Sequence, residues 1–320
     1  KRQVSQPAHS LRFTHAIDER IEKRFPFKFT GAQRRAALEI AHDLRQSRPM
    51  NRLLQGDVGS GKTVVALYAA LLAVARGKQA AIMAPTEILA TQHYNKAQDY
   101  LAGSRVKIAL LVGKQKPAER REILEALASG EIDIVVGTHA LISDGVAFSD
   151  LALVVVDEQH RFGVTQRTSI RGKGFAPHYL VMTATPIPRT LALTVFGDLD
   201  VSVIDALPPG RGKTETICIP HNKMPEVLKH VRSELDAGRQ AYFIYPLVNP
   251  SPELELTAAE DAYRDLADGA LKDYNIALIH GQMKPADKNA AMDAFRAGDV
   301  QALIASVVVE VGLDVPSASV

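Results

Sequence analysis

The chain has 320 residues, 38 Lys and Arg against 36 Asp and Glu, 46% hydrophobic residues, one cysteine and no tryptophan. That length suits about two domains of roughly 150 residues. A net charge of +2 excludes a basic tail that binds nucleic acid by bulk charge, though not a local basic groove, and the lone Cys218 excludes an intramolecular disulfide or a metal site built from thiolates alone.

Residues 12–25 carry a helical pattern. The segment after them, Phe25-Pro26-Phe27-Lys28-Phe29, is extended and aromatic. It is either a tether whose rings pack on the first domain or a segment that touches nucleotide. The apolar stretch Arg52-Leu53-Leu54 leads into a glycine-rich octapeptide and then a long helix ending near Gly77. Residues 64–75, the longest nearly apolar run, fall far short of the ~20 that a membrane span needs, and the polar residues 1–19 hold no signal-peptide core. A cytoplasmic protein with no membrane partner is expected. Short apolar runs follow at 80–83, 106–112, 132–136, 151–156 and 179–182. Helical patterns lie between them, such as 117–128, which opens with Pro and is followed by Gly130. Strands apolar on both faces and separated by helices predict an α/β domain with a parallel sheet covered on both sides.

The alternation breaks at 207–213, where two prolines and two glycines fall in seven residues. A second α/β series follows: a strand at 240–245, a loop at 249–256, a helix at 258–271, a strand at 275–279, a helix at 285–296 and a strand at 300–305. No repeat of solenoid type is present. The predicted organisation is an N-terminal extension over 1–30, a first domain over 31–206, a linker over 207–214 and a second domain over 215–320.

Gly56-Asp57-Val58-Gly59-Ser60-Gly61-Lys62-Thr63 fits G-x-x-x-x-G-K-[ST], and its place between a strand and a helix makes it a P-loop. Glycines let backbone N–H groups turn around an anion, and the helix N-terminus adds partial positive charge. Lys62 then supplies a full charge to the β- and γ-phosphates, and the Thr63 hydroxyl suits Mg²⁺. A second carboxylate source is expected at the end of a parallel strand. The buried run 151–156 ends in Asp157-Glu158. Asp157 would hold Mg²⁺, and Glu158 would polarise the attacking water.

Asp157-Glu158-Gln159-His160 resembles the DExH box of superfamily-two helicases and translocases, and further motifs match that family in order. Phe27-Lys28-Phe29-Thr30-Gly31-Ala32-Gln33 resembles the Q motif, which implies that Phe29 and Gln33 serve the adenine, Gln33 reading its edge. Ala84-Pro85-Thr86-Glu87 resembles motif Ia and Gly137-Thr138-His139 motif Ib. Thr183-Ala184-Thr185-Pro186 resembles motif III. His280-Gly281-Gln282-Met283 resembles the DNA-facing segment before motif V, and Ala305-Ser306 with 310–316 resembles motif V itself.

The wording of 157–164 and 182–190, and Leu207-Pro208-Pro209-Gly210-Arg211, is similar to the RecG-like branch of this superfamily. Transcription-repair coupling translocases of the Mfd type share the HRFGV and TATPIPRT wording but usually carry Glu where this chain has Gln159. RNA-type members usually carry Ser-Ala-Thr where this chain has Thr183-Ala184-Thr185. The resemblance implies two RecA-like P-loop domains and ATP-driven translocation on double-stranded DNA that remodels stalled forks and Holliday junctions. It implies ATP and Mg²⁺ as cofactors and a monomeric, nucleoid-associated protein, with single-stranded DNA-binding protein as a further partner.

Site residues follow from the same resemblance. Lys62, Asp157, Glu158 and His160 would act in catalysis, with Gly312 and Asp314 of motif V at the nucleotide. Pro85, Thr86, Thr138, His139, Arg189, His280, Gly281 and Ser306 would meet DNA. His139 could equally be a satisfied histidine after a strand, and Arg189 a surface ion-pair partner. Val307 stands where the family usually has a second Thr. The family's motif VI, with its arginine fingers, is expected beyond motif V, so the second domain reads as incomplete and the chain as part of a larger enzyme. For the chain taken alone, an ATP-binding module with little turnover is the alternative.

Overall fold

The computed structural model describes residues 7–113, 115–143, 145–157, 176–184, 199–206, 214–245, 252–306, 315 and 317–320. The chain divides into two compact units, Lys1–Arg211 and Gly212–Val320.

The first unit contains α1 (His15–Glu22), α2 (Gly31–Leu44), β1 (Asn51–Gly56), α3 (Lys62–Val74), β2 (Gln79–Met83), α4 (Glu87–Tyr100) and β3 (Ile108–Leu111). After these come α5 (Pro117–Ser129), β4 (Ile134–Gly137), β5 (Leu151–Asp157), β6 (His178–Thr183) and β7 (Asp200–Ile204). The strands form one parallel sheet in the order β3-β4-β2-β5-β6-β1-β7. Every residue of β2, β4, β5 and β6 is buried, as a sheet covered on both faces requires. Successive β5 side chains serve opposite layers: Leu153 and Val155 join the core around Ile40 and Leu72, and Val154 and Val156 join the core around Leu53 and Leu111. Strand β7 lies at the sheet edge and alternates, with Ser202 and Ile204 buried, so its sequence holds no apolar run that predicts it.

Residues 7–30 are not a separate extension. Leu11, Ile21 and Phe25 are buried in the first core. Asp18 on α1 accepts two hydrogen bonds from the Arg34 guanidinium, at 2.7 and 3.2 Å, and one from the Tyr68 hydroxyl at 2.5 Å. The boundary expected at residue 30 therefore falls inside the first unit.

The second unit contains α6 (Met224–Asp236), β8 (Ala241–Tyr245), α7 (Pro252–Asp268), β9 (Ile276–Ile279), α8 (Pro285–Ala297) and β10 (Ala302–Ser306). Its described strands pair in parallel as β8-β10-β9. Helix α7 begins inside the loop expected over 249–256 and ends before 271. Pro252 opens it because the first helical position needs no N–H partner.

The two units share one internal arrangement. Strand β4 sits between β3 and β2, with Ile134 opposite Ile108 and Ala80; β10 sits between β9 and β8, with Ala302 opposite Ile276 and Ala241. The sequence follows at an offset of 276 − 108 = 168 residues: Ile108-Ala109-Leu110 matches Ile276-Ala277-Leu278, and Lys116-Pro117-Ala118 matches Lys284-Pro285-Ala286. Gly130 and Gly298 close the two equivalent helices with φ of 83° and 85°, a left-handed conformation that favours glycine. A buried glutamine braces each copy. The Gln79 amide donates to Leu127 O and Ile132 O at 2.9 and 2.8 Å, and the Gln240 amide donates to Phe295 O and Val300 O at 2.5 and 2.7 Å.

Candidate functional site: one edge of the first sheet

In a parallel sheet all strand C-termini lie along one edge, where ligands of open α/β sheets gather. Here that edge carries the loop after β1, residues 84–86 after β2, Thr138 and His139 after β4, Asp157 closing β5 and Thr183 closing β6. The glycine loop, residues 84–86, Thr138 with His139 and the Asp157 carboxylate are thus brought to one edge by topology alone.

The loop after β1 requires its glycines. A Cβ on Gly56 would stand 2.6 Å from Ser60 Oγ and 3.1 Å from the Ile204 side chain. Gly59 and Gly61 have φ of 73° and 90°, and a Cβ on Gly61 would also lie 2.2 Å from Gln33 Nε2. Gly61 caps α3, so Lys62 and Thr63 fall in its first turn, both half-buried. Lys62 Nζ donates to Gly56 O at 2.8 Å and Asp57 O at 3.0 Å, which holds it at the mouth of the loop. Asp57, Val58 and Gly59 are exposed, and Asp57 Oδ1 accepts from the Val58 N–H at 2.7 Å. Ser60 is buried, and its hydroxyl has no hydrogen-bond partner. A glycine cradle with a lysine at its mouth and an unsatisfied buried hydroxyl fits a phosphate group. The oxygen donors Thr63 and Asp157 fit a hard cation such as Mg²⁺.

Gln33 meets the site differently from its expected reading. Its Oε1 accepts from the Thr30 N–H at 2.9 Å, and Thr30 Oγ1 accepts from the Gln33 N–H at 3.2 Å, a capping box that starts α2. Its Nε2 donates to Ser60 O at 2.8 Å, and the residue is 3% exposed. Each end of the amide makes one hydrogen bond within the protein, so Gln33 ties the start of α2 to the glycine loop. Phe29 is half-buried, its ring 5.3 Å from Phe25 and 5.9 Å from Tyr68. Beside it opens a cavity of about 720 Å³ lined by Phe25, Pro26, Phe27, Phe29 and Arg34 among others. Its walls mix the aromatic rings with charged side chains, Glu19, Glu22, Lys23 and Lys28 beside Arg34.

Asp157 is 9% exposed and its Oδ2 lies 2.7 Å from His93 Nε2. Sequence reasoning missed His93. The signal was present: Leu89, His93 and Ala97 recur every four residues on the buried face of α4, and a histidine in an apolar stripe needs a partner.

Among the expected DNA contacts, Pro85 and Thr86 are half-buried, and Thr86 caps α4 by accepting from the Leu89 N–H at 3.3 Å. Thr138 is 1% exposed with an unpartnered hydroxyl, and His139 beside it is exposed. Gly137 before them admits no side chain, since a Cβ would stand 2.2 Å from Leu111 O. In the second unit, Gly281 O accepts from Lys288 Nζ at 2.7 Å, and burial holds the Lys288 ammonium below the usual lysine range. His280 is half-buried with an unpartnered Nδ1. Ser306 closes β10 at the position equivalent to Thr138, since 306 − 138 = 168. Glu158, His160, Arg189, Gly312 and Asp314 lie outside the described residues, as does the linker over 207–213. Among the described residues no helix is long and apolar enough to cross a membrane.

Residues 30–194 match the DEAD/DEAH box helicase family, and residues 225–320 match the helicase conserved C-terminal domain. The chain is 51% identical over 316 residues to the ATP-dependent DNA helicase RecG of Acidithiobacillus ferridurans, covering 99% of the chain and 46% of that protein. It is 49% identical over 309 residues to the RecG of Bacillus subtilis, covering 97% of the chain and 45% of that protein. The chain therefore spans about half the length of these relatives. A solved structure of RecG bound to a three-way DNA junction matches 98% of the chain and 41% of its own, with a TM-score of 0.80 at 41% identity.

Proposed function

The chain belongs to the DEAD/DEAH box helicase family, and from that membership we propose that it is the motor core of an ATP-dependent, RecG-type helicase that moves on double-stranded DNA and remodels branched junctions. The observation that carries this reading is the sheet edge that gathers the glycine loop, Lys62 and the Asp157 carboxylate. The RecG relatives give it its substrate class.

In this mechanism the backbone of residues 56–63 wraps the phosphates, and Lys62 leaves its loop carbonyls to neutralise the β- and γ-phosphoryl oxygens. The base docks in the aromatic cavity beside Phe29. Thr63 and Asp157 would hold magnesium, which would supply positive charge to neutralise the phosphates. Glu158 orients and deprotonates the attacking water, and His160 couples the site to DNA. Gly312 and Asp314 of motif V would serve the nucleotide.

Pro85, Thr86, Thr138, His139 and Arg189 would meet one stretch of DNA backbone, and His280, Gly281 and Ser306 another. The equivalent placement of Thr138 and Ser306 supports a paired design, with a hydroxyl residue at the same register position in each unit. The same reading carries a monomeric, nucleoid-associated enzyme that meets single-stranded DNA-binding protein.

The test is hydrolysis of Mg-ATP with and without forked DNA. Forked DNA is expected to raise turnover, and Lys62→Ala to lower it by on the order of 10²-fold or more. Undiminished turnover in Lys62→Ala, or no response to forked DNA, would overturn the assignment.

A further inference from the structure

Asp157 ends a wholly buried strand, where a carboxylate needs a donor to offset its lost hydration. His93 meets that need from α4, with Nε2 at 2.7 Å from Oδ2; the two residues are 64 apart in sequence and 8% and 9% exposed. In its Nε2–H tautomer the imidazole donates to this carboxylate oxygen. This contact engages one carboxylate oxygen, Oδ2.

The placement of His93 is itself constrained. Helix α4 is anchored at its start by the Thr86 cap and packed along its length by Leu89, Ala90 and Ala97, so the imidazole enters on a rigid element. A group held in this way can orient a metal-binding carboxylate much more sharply than a surface side chain or water.

We propose that His93 is a positioning residue that orients the Asp157 carboxylate for the divalent metal of the ATP site. The inference rests on the assignment of Asp157 as a metal-holding carboxylate, and the two can fail separately.

The experiment titrates Mn²⁺ into the purified protein with a non-hydrolysable ATP analogue and follows the bound ion by electron paramagnetic resonance. Nucleotide binding without metal and a thermal melt are recorded in parallel. His93→Phe keeps a ring and removes the donor, and His93→Leu stands in should the phenylalanine variant not fold. His93→Gln restores an N–H near the Nε2 position. The expected result is a loss of Mn²⁺ affinity of roughly 10–100-fold in the apolar variant. Metal-free nucleotide binding should be unchanged, and most of the Mn²⁺ affinity should return in His93→Gln. Wild-type Mn²⁺ affinity in the apolar variant would overturn the proposal, as would a glutamine variant no better than the apolar one. Asp157→Asn separates the two assignments. Full Mn²⁺ affinity there removes Asp157 from the metal site, whereas a loss there beside an unaffected His93 variant removes only His93.

Discussion

Gln33 is a buried side chain that ties the start of α2 to the glycine loop. Its carbonyl oxygen caps its own helix and its amino group holds Ser60 O, the residue before the αL glycine of the loop. Truncation would leave the Thr30 N–H and Ser60 O unsatisfied and open space against Gly61. The expected outcome for Gln33→Ala is a weaker nucleotide complex in which ATP and GTP lose affinity by the same factor, of about tenfold, corresponding to one lost hydrogen bond of the stronger kind. Equilibrium titration with fluorescent derivatives of both nucleotides measures it. A loss confined to ATP would return the amide to the adenine edge.

At the scale of elements, α1 is joined to α2 and α3 through one buried carboxylate. Burial works to raise the Asp18 pKa, but the Arg34 and Tyr68 hydrogen bonds and the Arg34 charge outweigh it and hold the group below the usual Asp value. Burial, then Asp18 itself, pushes the Tyr68 phenol above its ordinary range. A carboxylate whose folded pKa is depressed contributes stability above its unfolded pKa and loses it as pH falls through the carboxylate range. Asp18→Asn should therefore cost on the order of 2 kcal/mol near neutral pH, and the gap from wild type should close on acidification. Urea midpoints at a series of pH values decide it.

The elements also show what was legible in the chain. Strand β5 and the glycine loop could be read because an apolar run and a fixed glycine spacing are local signals. Helix α1 was legible, yet its membership of the first core was not, because Asp18 finds Arg34 and Tyr68 only when three helices pack. Strand β7 was missed because an edge strand buries one face, and His93 because its partner lies 64 residues away at the end of β5. Asp57, Val58 and Gly59 were named correctly as loop residues by pattern, but their exposure follows from the turn.

At the scale of the molecule, two units carry the same three-strand arrangement, each with a buried glutamine at the same register position. Gln79 also accepts from the Asp150 N–H at 3.0 Å, and Gln240 Oε1 accepts from the Ser317 hydroxyl, so each amide is satisfied at both ends. Replacing either by Ala strands buried backbone carbonyls and should destabilise its own unit by on the order of 3 kcal/mol. Hydrogen exchange resolved by segment is expected to show faster exchange in α5 and β4 for Gln79→Ala and in α8 and β10 for Gln240→Ala. Loss spread evenly over both units would contradict a local brace. The 168-residue echo thereby makes the chain its own reference. The same substitution can be asked twice against one scaffold, and whatever differs between the paired answers measures what the surroundings of each glutamine contribute.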